Sequence, residues 1–390
     1  MDVSLFIARR LRFKGRIATV SVAISFFVMI VSVSISSGFR NEIRDGISSV
    51  SGDIQITPVD LNYLDESSPV ERFPSYLSAL NEIPGVRSVS PAVYRAGILK
   101  KNDHIQGVLF KGVESFAGDS IPDLAVSVPS VLASLLDIGV GDEIQSYFVG
   151  ERIKVRKFRV SSIYEGILDS RDNLVVYASL EDIQRLNGWS SDQVSVLEVS
   201  LDDDMRTVAQ IKKMTSDAGS AVMMFSSEDE ASVVATSAVS RYPQVFDWLD
   251  LIDFNVVFIL VLMTIVAGFN MISGLLIMLF ENISTIGLLK SLGMDNRGIA
   301  KIFLASSSFV VLKGMLYGNV LALAFCLIQG HFHLISLDPS NYFVSFVPVH
   351  IDLPLVLLSD VASYLIIMAL LFIPSVFITG IDPSKTVRVS

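Results

Sequence analysis

The sequence predicts a membrane protein of four transmembrane α-helices, with a large α/β extracytoplasmic domain inserted between helices 1 and 2. Three observations carry this. Four apolar runs reach spanning length, at residues 17–39, 254–280, 302–329 and 353–379, and a helix needs about 20 such residues to cross a hydrocarbon core of about 30 Å. Residues 40–253 form an acidic block with 33 Asp or Glu against 19 Lys or Arg. Basic residues cluster at 9–16, 290–301 and 385–388 and are absent from 331–352, an asymmetry that places both termini in the cytoplasm and the acidic block outside. The composition agrees: 51% hydrophobic, 18% charged and a mean hydropathy of +0.56 are too apolar for an ordinary soluble chain.

Residues 1–16 carry Arg9, Arg10, Arg12, Lys14 and Arg16 against a single acid, Asp2. A cytoplasmic segment followed by a retained helix is expected, because residues 17–39 form an uncharged run of 23 residues and a signal-peptide core runs to about 7–15. Ser21, Ser25, Ser32, Ser34, Ser36 and Ser37 make this first span rich in small polar residues, which permit close helix–helix approach.

Residues 40–250 read as the α/β domain. Alternating or β-branched runs predict strands at 53–57, 104–113, 152–163, 174–177, 194–201 and 221–225. Helical periodicity fits 75–82, 131–137, 180–186 and 203–217. Two lobes are expected, and from Ser226 the pattern turns helical again. The net charge of −14 over residues 40–253 argues against nucleic acid, which needs a basic surface. Cys326 is the single cysteine, so the chain forms no internal disulfide and no Cys-based metal cluster.

Tyr242 and Trp248 precede the second span, where an interfacial aromatic belt sits. That span, 254–280, is 27 uncharged residues, and it leads into a short polar-flanked helix at 281–293. Ile283, Ile286, Leu289 and Leu292 recur every third residue on one stripe, and Gly293 suits the residue that ends the helix. The chain then re-enters an apolar run, with the linking segment closing at 301. Resting on lipid headgroups is the plain reading of such a helix.

The string Phe269-Asn270-Met271-Ile272-Ser273, then Glu281, then Ile286-Gly287-Leu288-Leu289-Lys290-Ser291-Leu292-Gly293-Met294, then residues 299–303, resembles the core of permeases of the lipoprotein-releasing (LolC/LolE) type, in the MacB/FtsX superfamily of ABC transporters. Residues 4–10, 37–42, 173–189, 348–352 and 382–388 extend the resemblance over nearly the whole chain. It implies that 281–301 holds a coupling helix docking on a cytoplasmic ATPase. The contact residues so implied are Glu281, Ile283, Ile286, Gly287, Leu288, Leu289, Lys290, Leu292 and Gly293, with the apolar stripe seated in a groove on the ATPase. One of the two related permeases carries a carrier-capturing loop in its outer domain. The corresponding residues here are Gly166, Leu168, Asp169 and Arg171, for which a plain hairpin is the alternative.

No G-x-x-x-x-G-K-[ST] is present, so ATP and Mg are expected on a partner subunit and the chain itself carries no cofactor. No G-x-S-x-G elbow is present and there are only four histidines, so covalent catalysis is unsupported and the chain reads as a non-enzymatic subunit. His331 and His333 lack further ligands for a metal and read as a solvated loop. Intramembrane polar candidates are Asn270, Lys313 and Asp360. Lys313 is expected to face the bundle interior, with Asp360 a possible partner, or to snorkel to the cytoplasmic surface.

The resemblance implies a permease in the inner membrane with its α/β domain, 40–250, in the periplasm, a periplasmic loop at 330–352 and a cytoplasmic tail at 380–390. Its partners would be two ATPase chains, a second permease copy or paralogue, a lipoprotein substrate, a periplasmic carrier and membrane lipids. The alternative is a MacB- or FtsX-like mechanotransmitter that serves export or a cell-wall hydrolase without moving lipoproteins. A non-transport scaffold is the remaining class, and the coupling segment argues against it.

Overall fold

The computed structural model describes residues 16–59, 68–102, 104–150, 153–165, 174–338, 342 and 344–375. These form two compact units, one of residues up to 40 with 249–335 and 347 onward, the other of 41–248 with 336–346.

The first unit is a helical bundle. Four helices among the described residues are long and apolar enough to cross a membrane: α1 Arg16–Ser51, α7 Pro243–Glu281, α9 Asn296–Phe332 and α10 Leu353–Ser375, with a short α8, Ile283–Ser291, between α7 and α9. The helices α1, α7 and α9 outrun the apolar runs that mark them, because charge limits where a helix lies in a bilayer and not where its backbone hydrogen bonds stop.

Polar side chains knit the bundle pair by pair. Asn270 on α7 donates to Ser21 Oγ on α1 at 2.6 Å, and Thr264 meets Ser363 on α10 at 3.1 Å. Ser308 on α9 meets the Tyr364 hydroxyl at 2.7 Å, and Asn319 donates to Asp360 at 2.5 Å. Where the uncharged run of α1 ends and that of α7 begins, Asp253 accepts from Ser36 at 2.6 Å and pairs with Arg40. Of the serines of the first span, Ser21 thus serves as a cross-helix acceptor and Ser36 as a cross-helix donor.

Gly314 and Gly318 let α9 press against α1. A Cβ on Gly314 would fall 2.7 Å from Val22 Cγ1 and 3.0 Å from the Thr19 carbonyl oxygen, and one on Gly318 would fall 2.6 Å from the Ala23 carbonyl oxygen. Both contacts advance by four residues on each helix, so the two run parallel. This G-x-x-x-G spacing stands in the sequence, and it is the pattern that brings apolar helices into backbone contact. Gly318→Leu is expected to destabilise the bundle by about 3 kcal/mol, since the obstructing atoms are backbone and cannot give. Denaturant unfolding of the full chain in detergent measures it, with Gly107→Leu, which meets nothing within 4 Å, as control.

The second unit is built on β1 Ile54–Pro58, β2 Val70–Glu71, β3 Val86–Lys101, β4 His104–Val113, β5 Ala125–Pro129, β6 Glu143–Phe148, β7 Lys154–Tyr164, β8 Val175–Ser179, β9 Gln193–Val194, β10 Val196–Leu201 and β11 Val233–Ser237. Its helices are α2 Leu77–Asn81, α3 Ser130–Leu136, α4 Leu180–Asn187, α5 Val208–Phe225 and α6 Ala238–Arg241. Nine strands pair in the order β11-β1-β10-β3-β4-β8-β5-β7-β6, and β6 pairs back with β3. Strands β3, β4, β8, β5, β7 and β6 therefore close into a six-stranded ring, while β10, β1 and β11 extend from the first half of β3. The two expected lobes share one strand: residues 86–92 pair with β10 and residues 93–101 with β4. Phe110, Phe148 and Phe158 pack inside the ring with centroids 4.9 and 5.5 Å apart, and a Cβ on Gly97 would meet the Phe148 ring at 2.9 Å.

Two expectations fail here. Residues 221–225 are not a strand but the last turn and a half of α5. Ile211, Met214, Ala218 and Val222 form its buried stripe while Met223, Met224 and Phe225 are exposed, a helical period that overrides local β-propensity. A capping box between Thr207 and Gln210 sets its start. The segment after Ser226 is not helical throughout, because β11 forms there and pairs with β1 along its whole length.

Candidate functional site

The coupling candidate is α8 with its two joints. Asn282 links it to α7, donating from Nδ2 to the Met278 carbonyl at 2.9 Å. At the other end Gly293 takes φ +89, its N–H bonding the Lys290 carbonyl at 3.0 Å while Met294 N–H bonds the Leu289 carbonyl at 3.0 Å. That bond pair is a Schellman stop. Asp295 then caps α9, its Oδ1 accepting from the Gly298 N–H at 2.9 Å. Two helices are thus joined by a corner fixed by a Schellman turn and a side-chain cap, so α8 and α9 are expected to move as one body.

Gly293→Ala isolates that corner. No atom lies within 4 Å of the added methyl, so the cost is the left-handed backbone alone, about 1 kcal/mol. The thermal midpoint of the full chain is expected to fall by about 3 °C. An unchanged midpoint would mean that this turn is not the one described.

The orientation of α8 divides the predicted coupling residues. Ile286 is fully buried, Gly287 is buried, and Leu289 packs against the bundle core with Met294. Of the predicted stripe, Ile286 is buried and Leu289 packs against the bundle core with Met271, Leu275, Ile299 and Phe303, while Ile283 is half-buried and Leu292 is exposed. The outward face is Glu281, Ser284, Thr285, Leu288 and Leu292, with Leu288 59% and Leu292 75% exposed. Lys290 is half-buried, and Gly293 is exposed at the turn.

The intramembrane candidates separate. Asn270 and Asp360 lie within the bundle on the hydrogen bonds given above. Lys313 faces neither the bundle interior nor Asp360. It is exposed beside Gly314, and Asp360 takes Asn319 as its partner. Sequence spacing alone could not place Lys313, because helix rotation decides which side a lone charge faces. His331 and His333 are exposed at the end of α9, with His333 in the left-handed capping conformation.

Gly166, Leu168, Asp169 and Arg171 lie outside the described residues, as do residues 1–15 and 376–390. The flanking residues are described: Tyr164 donates to the Val175 carbonyl at 2.7 Å and packs edge-on to Phe116, which stacks on Tyr177 with centroids 4.1 Å apart. A cleft of about 580 Å³ opens beside these rings.

Sequence reasoning missed a buried charged cluster below this cleft. Lys111 Nζ donates to the Val50 carbonyl, at the end of α1, and to Glu198 Oε2, both at 2.8 Å. The Tyr94 hydroxyl shares its one proton between Val50 O, at 2.9 Å, and Glu198 Oε1, which Gln55 also reaches at 3.3 Å. Burial, and then the Glu198 carboxylate, push the Tyr94 phenol well above its ordinary pKa, so it stays a donor. Arg206 adds a second tie, reaching Asp45 at 2.8 Å and the buried Asp53 at 3.4 Å. Lys111 follows Phe110, whose ring packs inside the six-stranded ring, so alternation turns it to the outer face, beneath the end of α1.

Comparison with known proteins fits this architecture. The profile of the MacB-like periplasmic core domain matches residues 17–217, and that of the FtsX-like permease C-terminal region matches residues 257–383. The lipoprotein-releasing system transmembrane protein LolE of Haemophilus influenzae is 24% identical over 369 residues, covering 86% of this chain and 84% of that protein. LolC of Xylella fastidiosa (strain Temecula1) is 21% identical over 94% of this chain and 92% of its own length. LolC of Neisseria meningitidis serogroup B is 22% identical over 95% and 93%.

Proposed function

The chain belongs to the permeases built on the MacB-like periplasmic core domain, of the LolC/LolE type in the MacB/FtsX superfamily, and on that premise we propose that it releases lipoproteins from the inner membrane. In this reading it couples ATP hydrolysis on a separate ATPase subunit to extrusion of an acylated substrate towards a periplasmic carrier. The observation that carries the reading is α8: a short helix held rigidly between two long helices and presenting Leu288 and Leu292 outward.

The mechanism follows from the joints. ATP and Mg belong to the partner subunits, two per complex, and closure of those subunits pushes on α8. The Schellman turn and the Asp295 cap pass that push to α9. Gly314 and Gly318 hold α9 on α1, and Lys111 and Tyr94 grip the carbonyl of Val50 where α1 ends. A second permease, identical or paralogous, completes the cavity for acyl chains. We assign residues 166–173, flanked by the Tyr164–Val175 hydrogen bond, to carrier contact.

Depletion of the protein in its own cells tests the reading. Lipoproteins bound for the outer membrane are expected to accumulate in the inner membrane, and re-expression of the wild-type chain is expected to clear them. Normal lipoprotein sorting on depletion, with altered cell-wall hydrolysis instead, would favour the mechanotransmitter reading.

A further inference from the structure

Along the first unit, α1 and α9 leave an open groove of about 760 Å³. Arg16 and Lys313 line it together with Ile24, Phe27, Tyr317 and Phe325, and no acidic side chain is among its described lining residues. Neither cation forms an ion pair with a described residue.

The two cations lie near one level. Lys313 adjoins Gly314, whose Cβ position touches Thr19 and Val22, so Lys313 stands within about one to two helical turns of Arg16. Arg16 is the last charge before the uncharged run of α1 and so marks the inner boundary of the membrane. From Arg16 the groove runs to Phe27 and Phe325, whose rings meet edge-on at 6.0 Å. Eleven residues of helix rise about 16 Å, close to half of a hydrocarbon core of about 30 Å. The groove is one leaflet deep, cationic at its surface end and apolar beyond.

We propose that this groove holds an anionic phospholipid of the inner leaflet, its phosphate between Arg16 and Lys313 and its acyl chains along Ile24, Phe27 and Phe325. Charge selects the occupant. A zwitterionic lipid would bring an ammonium beside two cations, and a second permease chain would need acids to meet them. The lipid would seal the α1–α9 seam on its bilayer side.

The test uses the full chain purified from native membranes and reconstituted in nanodiscs of equimolar phosphatidylglycerol and phosphatidylethanolamine. Native mass spectrometry then counts the lipids retained. The expected result is a retained phosphatidylglycerol whose preference over phosphatidylethanolamine falls about fivefold in Lys313→Met and about twenty-fivefold in Arg16→Gln/Lys313→Met, each cation near the surface contributing about that factor. Lys313→Arg is expected to keep it. Equal retention of the two lipids, or an unchanged preference in the double variant, would overturn the proposal. So would a disulfide forming between two copies carrying Ile24→Cys, since the groove would then be an interface. The readout needs neither ATP nor lipoprotein, so its failure leaves the transport reading standing, and failure of that reading leaves the lipid site standing.

Discussion

Leu288→Asp is expected to strip the ATPase from the purified complex while the permease still inserts and folds. Leu288 is 59% exposed on the outward face of α8, so an aspartate there stays solvated in the free chain and costs the bundle little. Against a partner groove the same carboxylate would be desolvated without a counter-ion. Losing an apolar anchor at an interface costs about 2–4 kcal/mol, at least a thirtyfold loss of affinity. Co-purification through a tag on the permease reads it. The inward face supplies the contrast, because Ile286→Asp would bury an unpaired charge and should abolish accumulation of the folded chain. If Leu288→Asp retained the ATPase at wild-type stoichiometry, α8 would not be its docking element.

Glu198→Ala is expected to be the most destabilising single change in the second unit. It leaves the Lys111 ammonium buried with only carbonyl partners, and Tyr94 and Gln55 without their carboxylate acceptor. Breaking one side of a buried pair costs about 3–5 kcal/mol. For a unit of this size that corresponds to a drop of about 6–20 °C in the thermal midpoint. Lys111→Met/Glu198→Leu should recover a large part, since an apolar pair removes both buried charges, yet the grip on the Val50 carbonyl would be gone. A double variant that is stable but uncoupled, with ATP hydrolysis continuing while lipoprotein release stops, would assign the cluster to force transmission. Wild-type stability of Glu198→Ala would contradict the geometry.

What the sequence made legible follows the reach of each signal. The long apolar runs, Gly293 as a helix stop and the strand at 104–113 depend on local composition and period; among the described residues the runs lie in helices, Gly293 ends α8 and β4 spans His104–Val113. The long strand β3 was missed because Ser88, Ser90 and Pro91 interrupt its alternation, and its two halves serve different neighbours. Which of the nine coupling residues of α8 point outward was not legible, because period three fixes a stripe without saying which way it points, and only the bundle beside it decides. Lys111 and Glu198 were invisible as a pair, being 87 residues apart. The Gly314–Gly318 spacing was present but lay under the larger signal of the span itself.

Purification of the full chain from native membranes in mild detergent, with mass spectrometry of everything that co-elutes, tests the central claim most directly. The account predicts a stand-alone ATPase in two copies, one further permease chain and triacylated lipoprotein, with the ATPase lost in Leu288→Asp. An intact ATPase complex holding a cell-wall hydrolase or an export adaptor, and no lipoprotein, would contradict it.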